Sequence, residues 1–331
     1  MITGNFRRGR DIDMANTVML GEGSYTYRND TDWAKLPAGI GWREIAGVAI
    51  GADQRVYVFA RGEHPMIVFE ADGTFVETWG QGIWANPHAI TPGPDNTFYT
   101  TDHFGHAVRQ VTADGEVLLT IGTPRVATGL HSGEPFNMPT DVAVDPATGD
   151  LFISDGYKNS SVHRFSAEGE HILSWGGPGV DPGEFSIPHN IDTDSEGYVY
   201  VADRENHRIQ VFDGKGNFQT QYNNVHRPCT LRIGNDGLMY VGELGFAGRV
   251  DREVPNIGPR VSILTTSGER VSKVGHLGFG LKPGQMMAPH ALAVDAKGDI
   301  YLGEVADTAG KGWVPEDADI LSFRKLVKTV A

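Results

Sequence analysis

The sequence predicts an all-β fold, a six-bladed β-propeller with four-stranded antiparallel blades. Three observations lead to this prediction. One pattern recurs six times, most copies carry four strands, enough for a complete blade, and turns rich in Gly and Asp separate the strands. A period of roughly 40–60 residues with four strands is typical of a propeller blade, whereas a sandwich or a parallel β-helix does not explain four strands per period. The copies begin near Ile45, Pro87, Pro139, Pro188, Pro228 and Pro289.

Each copy opens with a short strand in which apolar and polar residues alternate, and a turn leads from it into a second strand of β-forming residues. The second strands read VYVF, TFYTT, LFIS, YVYVA, LMYVG and IYLGE. A third and a fourth strand follow in most copies, as in 66–80, 107–122, 161–176 and 208–222. Tight turns such as ADG, AEG and GKG join them, since Gly supplies the positive φ that such a turn needs.

We expect a single propeller domain over residues 1–331, with the N-terminal segment 1–40 closing the ring and the blades occupying about 41–331. The YTYR stretch at 25–28 is predicted to supply the outermost strand of the last blade. The C-terminal part of that blade, at 318–327, otherwise lacks a partner, and such a closure leaves no long bare edge.

Two insertions interrupt the repeat, at 245–260 in the fifth copy and at 306–319 in the sixth. Both are rich in Gly or Pro, which predicts loops that cover one face of the ring. We expect them to shape a pocket, although no motif in them names a ligand.

The composition excludes some classes of function. The chain has 42 acidic and 28 basic residues, a net charge of −14, which argues against a nucleic-acid partner. No apolar run is long enough for a signal peptide or a membrane span. Cys229 is the only cysteine, so no intrachain disulfide can form, which suits a cytoplasmic protein. Nothing in the sequence indicates an oligomeric state.

A Pro-His phrase recurs at 86–88, 187–189 and 288–290, with its histidines spaced 101 residues apart. One position of the repeat lies eleven residues before the aromatic of the second strand, or twelve in the third copy. In the six copies in order, it is occupied by Ala46, His88, Thr140, His189, Cys229 and His290. The histidines therefore belong to alternate blades, about 120° apart around the axis. Because the other three copies lack histidine, the repeat itself does not require one. The pattern predicts a metal site formed by His88, His189 and His290, with zinc favoured and iron, cobalt or manganese left open.

Three further side chains are expected at the same mouth of the channel. Arg61 and Arg204 stand four residues past the second-strand aromatic in the first and fourth copies, on opposite sides of the ring. Two guanidinium groups facing a metal suit a small substrate that carries a carboxylate. Tyr157 is a candidate general acid or base. The alternatives are surface ion pairs of the arginines with Glu63 or Glu205, and a packing role for the tyrosine.

His103 and His64 are secondary candidates for substrate contact, together with His106, as parts of the pocket wall. A carboxylate follows the second strand in five of the six copies. Because it recurs, it predicts a structural role, capping turns or pairing between blades. These residues are Asp102, Asp155, Asp203, Glu243 and Glu304.

The phrases PTDVAVDPATGDLFISDGYKNS, GEFSIPHN and VADRENHRIQVF resemble the peptidyl-α-hydroxyglycine α-amidating lyases, a family within the NHL-repeat propellers. The resemblance covers roughly residues 44–305. It implies a central zinc on His88, His189 and His290, an active-site tyrosine at Tyr157 and two arginines at Arg61 and Arg204. The family reaction splits an N-substituted α-hydroxyglycine into an amide and glyoxylate, without hydrolysis.

The chain departs from the family pattern at several positions. The methionine two residues before the last metal-ligating histidine is Ala288, and the aspartate after that histidine, which helps bind a structural calcium, is Ala291. The resemblance therefore gives little support for calcium. The two disulfides of the family fall on Asn137 with Lys158 and on Tyr200 with Val211, so neither can form. These departures suggest a bacterial-type intracellular enzyme that keeps the chemistry and acts on a different substrate.

The sequence thus favours a zinc-dependent lyase that cleaves the C–N bond of an α-hydroxyglycine or another small carbinolamide or α-hydroxy acid derivative, with the metal binding the substrate hydroxyl. A related hydratase or hydrolase on the same scaffold is the first alternative. A non-catalytic NHL-repeat propeller that binds proteins is the second. A calcium-dependent lactonase or esterase is the third, and it would need carboxylates where this chain has imidazoles.

Overall fold

The computed structural model describes residues 18–245, 251, 254–276, 278–315 and 317–329. Residues 1–17 of the expected closing segment lie outside the described residues, as do 246–250 and 252–253 of the first insertion and residue 316 of the second. The described part of the chain is almost entirely β-structure, and none of its helices is both long and apolar enough to cross a membrane.

The chain begins with a hairpin and then forms three complete blades. The hairpin consists of β1 (Met19–Glu22) and β2 (Tyr25–Asp30). Blade 1 contains β3 (Glu44–Ile50), β4 (Val56–Arg61), β5 (Met66–Phe69) and β6 (Phe75–Trp79). Blade 2 contains β7 (Pro87–Pro92), β8 (Phe98–Asp102), β9 (Ala107–Val111) and β10 (Val117–Ile121). Blade 3 contains β11 (Asp141–Val144), β12 (Leu151–Asp155), β13 (Ser161–Phe165) and β14 (His171–Gly176).

Three more blades complete the ring. Blade 4 contains β15 (Pro188–Thr193), β16 (Val199–Asp203), β17 (Arg208–Phe212) and β18 (Phe218–Tyr222). Blade 5 contains β19 (Pro228–Ile233), β20 (Leu238–Glu243), β21 (Arg260–Thr265) and β22 (Arg270–Val274). Blade 6 contains β23 (Pro289–Val294), β24 (Ile300–Glu304) and β25 (Phe323–Lys328), to which the N-terminal hairpin is added.

Neighbouring strands are antiparallel within every blade, and the first strand of each blade lies innermost. The inner strands β3, β7, β11, β15, β19 and β23 contact one another in this order, and β23 contacts β3 again. The six-bladed propeller predicted from the repeat is therefore confirmed.

The N-terminal hairpin closes the ring, because β2 pairs with β25 from Tyr27 opposite Lys328 to Asp30 opposite Lys325. It takes the fourth position of blade 6, which is the position expected for the YTYR stretch. The strand β1 adds a fifth position that the sequence reading did not include. Leu20 of β1 and Tyr27 of β2 are buried in the same apolar cluster as the blade 6 strands.

The core lies in layers between adjacent blades. Tyr57 and Phe59 of blade 1, for example, pack in one cluster with Ile90 and Phe98 of blade 2. Alternating strand residues supply these layers, since successive side chains of a strand point to opposite faces. Each blade is thereby buried on both faces, which fixes the inner strands around the axis.

The second insertion differs from the predicted loop, because it contains a short helix, α1 (Ala306–Gly310). The helix has no side-chain cap. It is held instead by blade 1, where the Thr308 amide donates to Glu44 Oε1 at 2.7 Å and Arg43 pairs with Asp307. These long-range contacts explain why local composition did not predict it.

Candidate metal centre

The three predicted histidines meet on the propeller axis. The ring centroids of His88, His189 and His290 are 4.8, 4.9 and 4.8 Å apart, close to an equilateral triangle. One ring nitrogen of each lies within 4.8 Å of those of the other two. All three side chains are buried, at 1%, 1% and 4% exposure. Within the described parts of the chain, this is the only cluster of histidine, cysteine and carboxylate side chains able to hold a metal.

A β-bulge turns each histidine toward the axis. In blade 2, Pro87 pairs with Asp102 and Ala89 with Thr101, so His88 is the extra residue between two consecutive pairs. The pairing shifts in the same way around His189 and His290. A bulge commonly re-aims a side chain at a functional site. The same shift occurs around Ala46 in blade 1 and Cys229 in blade 5, so the bulge is a feature of the repeat that the three histidine blades use to face the channel.

The blades without a histidine fix the ring orientation of those that have one. His88 Nδ1 lies 2.6 Å from the carbonyl oxygen of Thr140, His189 Nδ1 2.7 Å from that of Cys229, and His290 Nδ1 2.9 Å from that of Ala46. Each acceptor holds the equivalent repeat position in the next blade. Because a carbonyl oxygen only accepts, each Nδ1 carries the proton, and Nε2 is left with a lone pair.

These imidazoles are neutral. Burial lowers the pKa of His88 well below its usual value, and the nearby His189 and His290 lower it further. Burial also lowers the pKa of His189 and of His290, assisted by the charges of Arg204 and Arg61 respectively. Neutral imidazole is the form that ligates metals, and a carbonyl on the second nitrogen is a common support for such a ligand. The residues present therefore fit a three-histidine metal site.

Tyr157 lies at the histidine triangle. Its hydroxyl is 3.2 Å from His88 Nε2 and 3.0 Å from His189 Nε2. The tyrosine is thus placed to contact whatever binds to these nitrogens, whereas the alternative of a packing aromatic would not require its hydroxyl there. Its catalytic role remains a prediction.

Arg204 begins a short 3-10 turn after β16 and is 8% exposed. Its guanidinium carbon lies 5.5 Å from the centroid of the Tyr157 ring. Its Nε pairs with Glu205 at 2.7 Å, and Glu205 also pairs with Arg227 at 2.8 Å. Burial alone would lower the pKa of Arg204, but Tyr157, Cys229 and Glu205 outweigh it, so the pKa is raised and the side chain is a cation.

Arg61 is at the end of β4, on the other side of the mouth. Its Nη1 pairs with Glu44 Oε2 at 3.0 Å and its Nε donates to the Pro87 carbonyl at 3.2 Å. The partner expected for a surface ion pair was Glu63, whereas the structure gives the buried Glu44, which stands opposite Arg61 in the β3–β4 register. For Arg204 the expected neighbour Glu205 is indeed the partner.

A cavity of about 360 Å³ opens over the histidines. Its polar lining includes Arg61, Arg204 and Arg227, together with Tyr157, Thr308 and His290. Its apolar lining is formed by Leu244, Phe279, Met287, Ala288, Val305, Ala309 and Trp313. The second insertion therefore lines the cavity, as expected. Most of the first insertion is outside the described residues, and Leu244 directly before it lines the cavity.

The secondary histidines differ in position. The ring of His103 lies 5.1 Å from that of His88 and 5.4 Å from that of Tyr157, so His103 stands beside the centre. Burial, followed by the charge of Arg61, lowers the pKa of His103 to about 3. His64 is not among the side chains that line the cavity. His106 accepts from the Met138 amide through Nδ1 at 3.1 Å, a contact within the loops.

The recurring carboxylates hold the backbone that enters each inner strand. Asp102 accepts from the amides of Ala85 and Asn86, both at 2.8 Å, directly before the Pro-His phrase. Equivalent bonds are made by Asp155, Asp203, Glu243 and Glu304. Each of the five is buried and pairs with an arginine or a histidine. The predicted structural role agrees with these contacts, which are made within a blade.

Behind the histidines the channel narrows to a cavity of about 10 Å³, lined in part by Ala46, Ala291 and Arg232. The guanidinium of Arg232 then crosses the axis. It donates to Asp141 Oδ2 at 2.7 Å and to Asn190 Oδ1 at 3.0 Å. Ala288 lies in the cavity over the histidines and Ala291 in the one behind them, so both departures from the family pattern fall next to the metal centre.

Sequence reasoning missed three residues of this region, Glu44, Arg227 and Arg232. The signal for Glu44 was its place directly opposite Arg61 in the first hairpin. The signal for Arg227 was its repeat position, since it precedes Pro228 as Ala288 precedes Pro289, and both line the cavity. Arg232 carried no such signal, because its partners come from three other blades.

Comparisons with known proteins agree with this geometry. A family model for the NHL repeat matches residues 136–165 and 185–212. NHL repeat-containing protein 3 of Homo sapiens is 28% identical over 317 residues, covering 90% of this chain and 86% of that protein. Among solved structures, a gluconolactonase of Xanthomonas campestris has a TM-score of 0.60 at 13% identity, covering 96% of this chain and 93% of that one, which shows a shared fold.

Two relatives carry names that describe amidation. Peptidyl-alpha-hydroxyglycine alpha-amidating lyase 1 of Drosophila melanogaster is 32% identical over 259 residues, which cover 71% of this chain and 46% of that protein. Peptidyl-glycine alpha-amidating monooxygenase B of Xenopus laevis is 34% identical over 224 residues, covering 58% of this chain and 25% of that protein. The chain thus spans less than half of either. It is a six-bladed propeller with NHL repeats at 136–165 and 185–212, and it is similar in sequence to proteins named peptidyl-α-hydroxyglycine α-amidating lyase.

Proposed function

We propose that this protein is a zinc-dependent lyase that cleaves the C–N bond of an N-substituted α-hydroxyglycine or a similar carbinolamide bearing a carboxylate. One observation carries the proposal: three neutral, buried imidazoles converge beneath a cavity whose wall holds Tyr157, Arg61 and Arg204. The relatives named for this lyase support it, and three histidines with an open position are a typical catalytic zinc set.

His88, His189 and His290 would hold the zinc ion through Nε2. When bound, the ion would supply Lewis-acid stabilisation of the negative charge that develops on the substrate hydroxyl oxygen. The carbonyl groups of Thr140, Cys229 and Ala46 keep the imidazole rings in place, and burial, which lowers the pKa of all three histidines, keeps them neutral. The site is therefore organised before substrate arrives.

Arg61 and Arg204 would bind the substrate carboxylate from opposite sides of the cavity. Each guanidinium has five N–H donors, so pairing with one glutamate leaves donors for a second anion. Glu44 and Glu205 orient these groups, and burial raises the strength of the ion pairs that they form. Arg227 adds a third guanidinium group to the lining of the same cavity and shares Glu205 with Arg204.

Tyr157 would move the proton that the reaction transfers. Splitting the C–N bond takes the proton from the substrate hydroxyl, forms the carbonyl of glyoxylate and requires a proton on the departing amide nitrogen. The Tyr157 hydroxyl lies within 3.2 Å of two of the Nε2 atoms, which places it beside the position that the substrate hydroxyl would take and makes it the candidate group for this proton transfer. The apolar part of the cavity lining would exclude water, which favours elimination over hydrolysis.

The experiment is a glyoxylate-release assay on zinc-loaded protein with N-acyl-α-hydroxyglycines. We expect turnover that Tyr157→Phe lowers by about 10²–10⁴-fold while the zinc content stays at one ion per chain. His189→Ala should lose the metal. Metal analysis well below one ion per chain, unchanged by His189→Ala, would overturn the proposal. Turnover on an ester or an unsaturated acid without any on carbinolamides would replace the lyase by a hydrolase or a hydratase.

A further inference from the structure

Two cavities share one wall residue, Met287. The first is the cavity of about 360 Å³ over the histidines. The second has about 410 Å³, and its lining combines Leu281, Pro283 and Leu321 with polar side chains such as Lys282, Asp319 and Arg324. Met287 contributes to the lining of both. Its side chain therefore forms part of the partition between them.

The backbone of Met287 is held in place by a hydrogen bond, whereas its side chain is flexible and separates the two cavities by only one residue. The Met287 amide donates to the buried Glu304 at 2.7 Å, and the residue is 3% exposed. Its terminal methyl lies against the end of α1, because a Cβ on Gly310 would come within 2.5 Å of Met287 Cε. An unbranched thioether is the side chain most easily reshaped in a packed site. The neighbouring residue, Ala288, has only a methyl side chain and so contributes little to the wall between the cavities.

The lining of the active-site cavity is polar in one part and apolar in another. The arginines come from blade 1, blade 4 and the segment before blade 5, whereas Phe279, Val305 and Trp313 lie in the chain around blade 6, as Met287 does. A substrate whose carboxylate meets an arginine can place its other end against this apolar part of the lining. Because burying apolar surface is favourable, that end is best matched by an apolar group.

We infer that the group on the substrate nitrogen is an apolar acyl chain and that Met287 sets its maximum length, the cavity beyond being a second subsite for a longer chain. This inference rests on the proposed lyase function and adds the substrate class to it. Met287 acts here as a specificity-determining residue. It takes no part in the bond-breaking step.

The size of the effect follows from the area that each methylene buries. One buried methylene corresponds to about a fourfold gain in affinity. With the native chain, kcat/KM should rise by about this factor for each added carbon until the acyl group reaches Met287, and then level off or fall. Once the methionine is shortened, the rise should continue into the second cavity.

The test uses a series of N-acyl-α-hydroxyglycines from acetyl to dodecanoyl, with glyoxylate release as the readout. Native protein, Met287→Ala and Met239→Ala are compared, each loaded with zinc. Met239 is a buried methionine in blade 5 that lines neither cavity, so it is the matched control. We expect a length limit for the native protein and Met239→Ala. For Met287→Ala we expect a gain of at least about tenfold on the longest chains.

Identical length profiles for all three proteins would overturn the inference while leaving the lyase in place. Binding of the unreactive N-acylglycines, measured by calorimetry, separates the two proposals. If no α-hydroxyglycine is cleaved but binding shows a length limit that Met287→Ala removes, the lyase fails and the subsite stands. If Met287→Ala does not fold, Met287→Val shortens the same side chain by less. It should shift the limit by at least one carbon, and an unshifted limit would refute the role of Met287.

Discussion

Protonation of the histidine triangle should destabilise the metal-free fold in acid. Burial lowers the pKa of His88, His189 and His290 in the folded protein, whereas an unfolded histidine titrates near pH 6.5. As the pH falls below about 6.5, the unfolded state takes up these protons and the folded state does not. Stability is therefore fully present above this pH and is lost below it, down to the lowered folded pKa.

The magnitude follows from linkage. For each excluded proton the free energy of unfolding falls by about 1.4 kcal/mol between about pH 7.5 and about pH 5.5. The three histidines together contribute about 4 kcal/mol over this interval. His189→Gln removes one titrating group and keeps an amide donor near the Cys229 carbonyl. Its pH-dependent loss should therefore be smaller than that of the native protein by about 1.4 kcal/mol, whatever the substitution costs at neutral pH.

The assay is urea unfolding in the presence of a chelator, followed by tryptophan fluorescence at the two pH values. His131→Gln changes an exposed histidine outside the metal centre and serves as the matched control. Its free energy of unfolding should fall between the two pH values by as much as that of the native protein. If His189→Gln loses as much stability between the two pH values as the native protein does, the triangle is not kept neutral by the fold, and the reasoning is refuted.

Two further predictions concern arginines. Arg204→Lys should raise KM for an α-hydroxyglycine by roughly 10-fold or more with zinc content unchanged, because a lysine cannot grip a carboxylate in bidentate fashion. Arg125→Lys, at an exposed site, is the control, and an unchanged KM for Arg204→Lys would contradict the carboxylate role. Asp141→Asn should lower the free energy of unfolding by about 3–5 kcal/mol, because it removes the buried carboxylate that pairs at 2.7 Å with the largely buried guanidinium of Arg232. Most of that loss should return in the double variant with Arg232→Met, and urea unfolding in which the double variant is no more stable than the single one would speak against this pair.

The three histidines of the metal centre could be located from the sequence. Their position needs only the blade and the height along the axis, and both can be counted along the chain. The repeat fixes the blade to which each histidine belongs, and the distance to the second-strand aromatic fixes its height along the axis. His88, His189 and His290 could be placed without knowing how any blade packs against another. The bulge at each histidine was not foreseen, since it changes the direction of one side chain without changing the spacing.

The parts that escaped prediction depend on contacts between distant segments. Arg232 finds Asp141 and Asn190 only once three blades are assembled around the axis. Helix α1 is positioned by Glu44 and Arg43 of blade 1, more than 260 residues earlier in the chain. Met287 becomes a partition only because α1 comes to rest against it. Such contacts cannot be predicted from the spacing of residues along the sequence.

The hydrogen bonds from the three histidines to backbone carbonyls also help to keep the ring of blades closed. Each imidazole donates to a carbonyl of the following blade, so the triangle keeps its shape only if blade 2 stays in contact with blade 3, blade 4 with blade 5 and blade 6 with blade 1. The bond from His290 to the Ala46 carbonyl joins the last blade of the ring to the first. A divalent ion bound by all three rings would tie blade 6 to blades 2 and 4 across the middle. The bound ion would then link the blades as well as take part in the reaction. Its removal should destabilise the junction between blade 6 and blade 1 first.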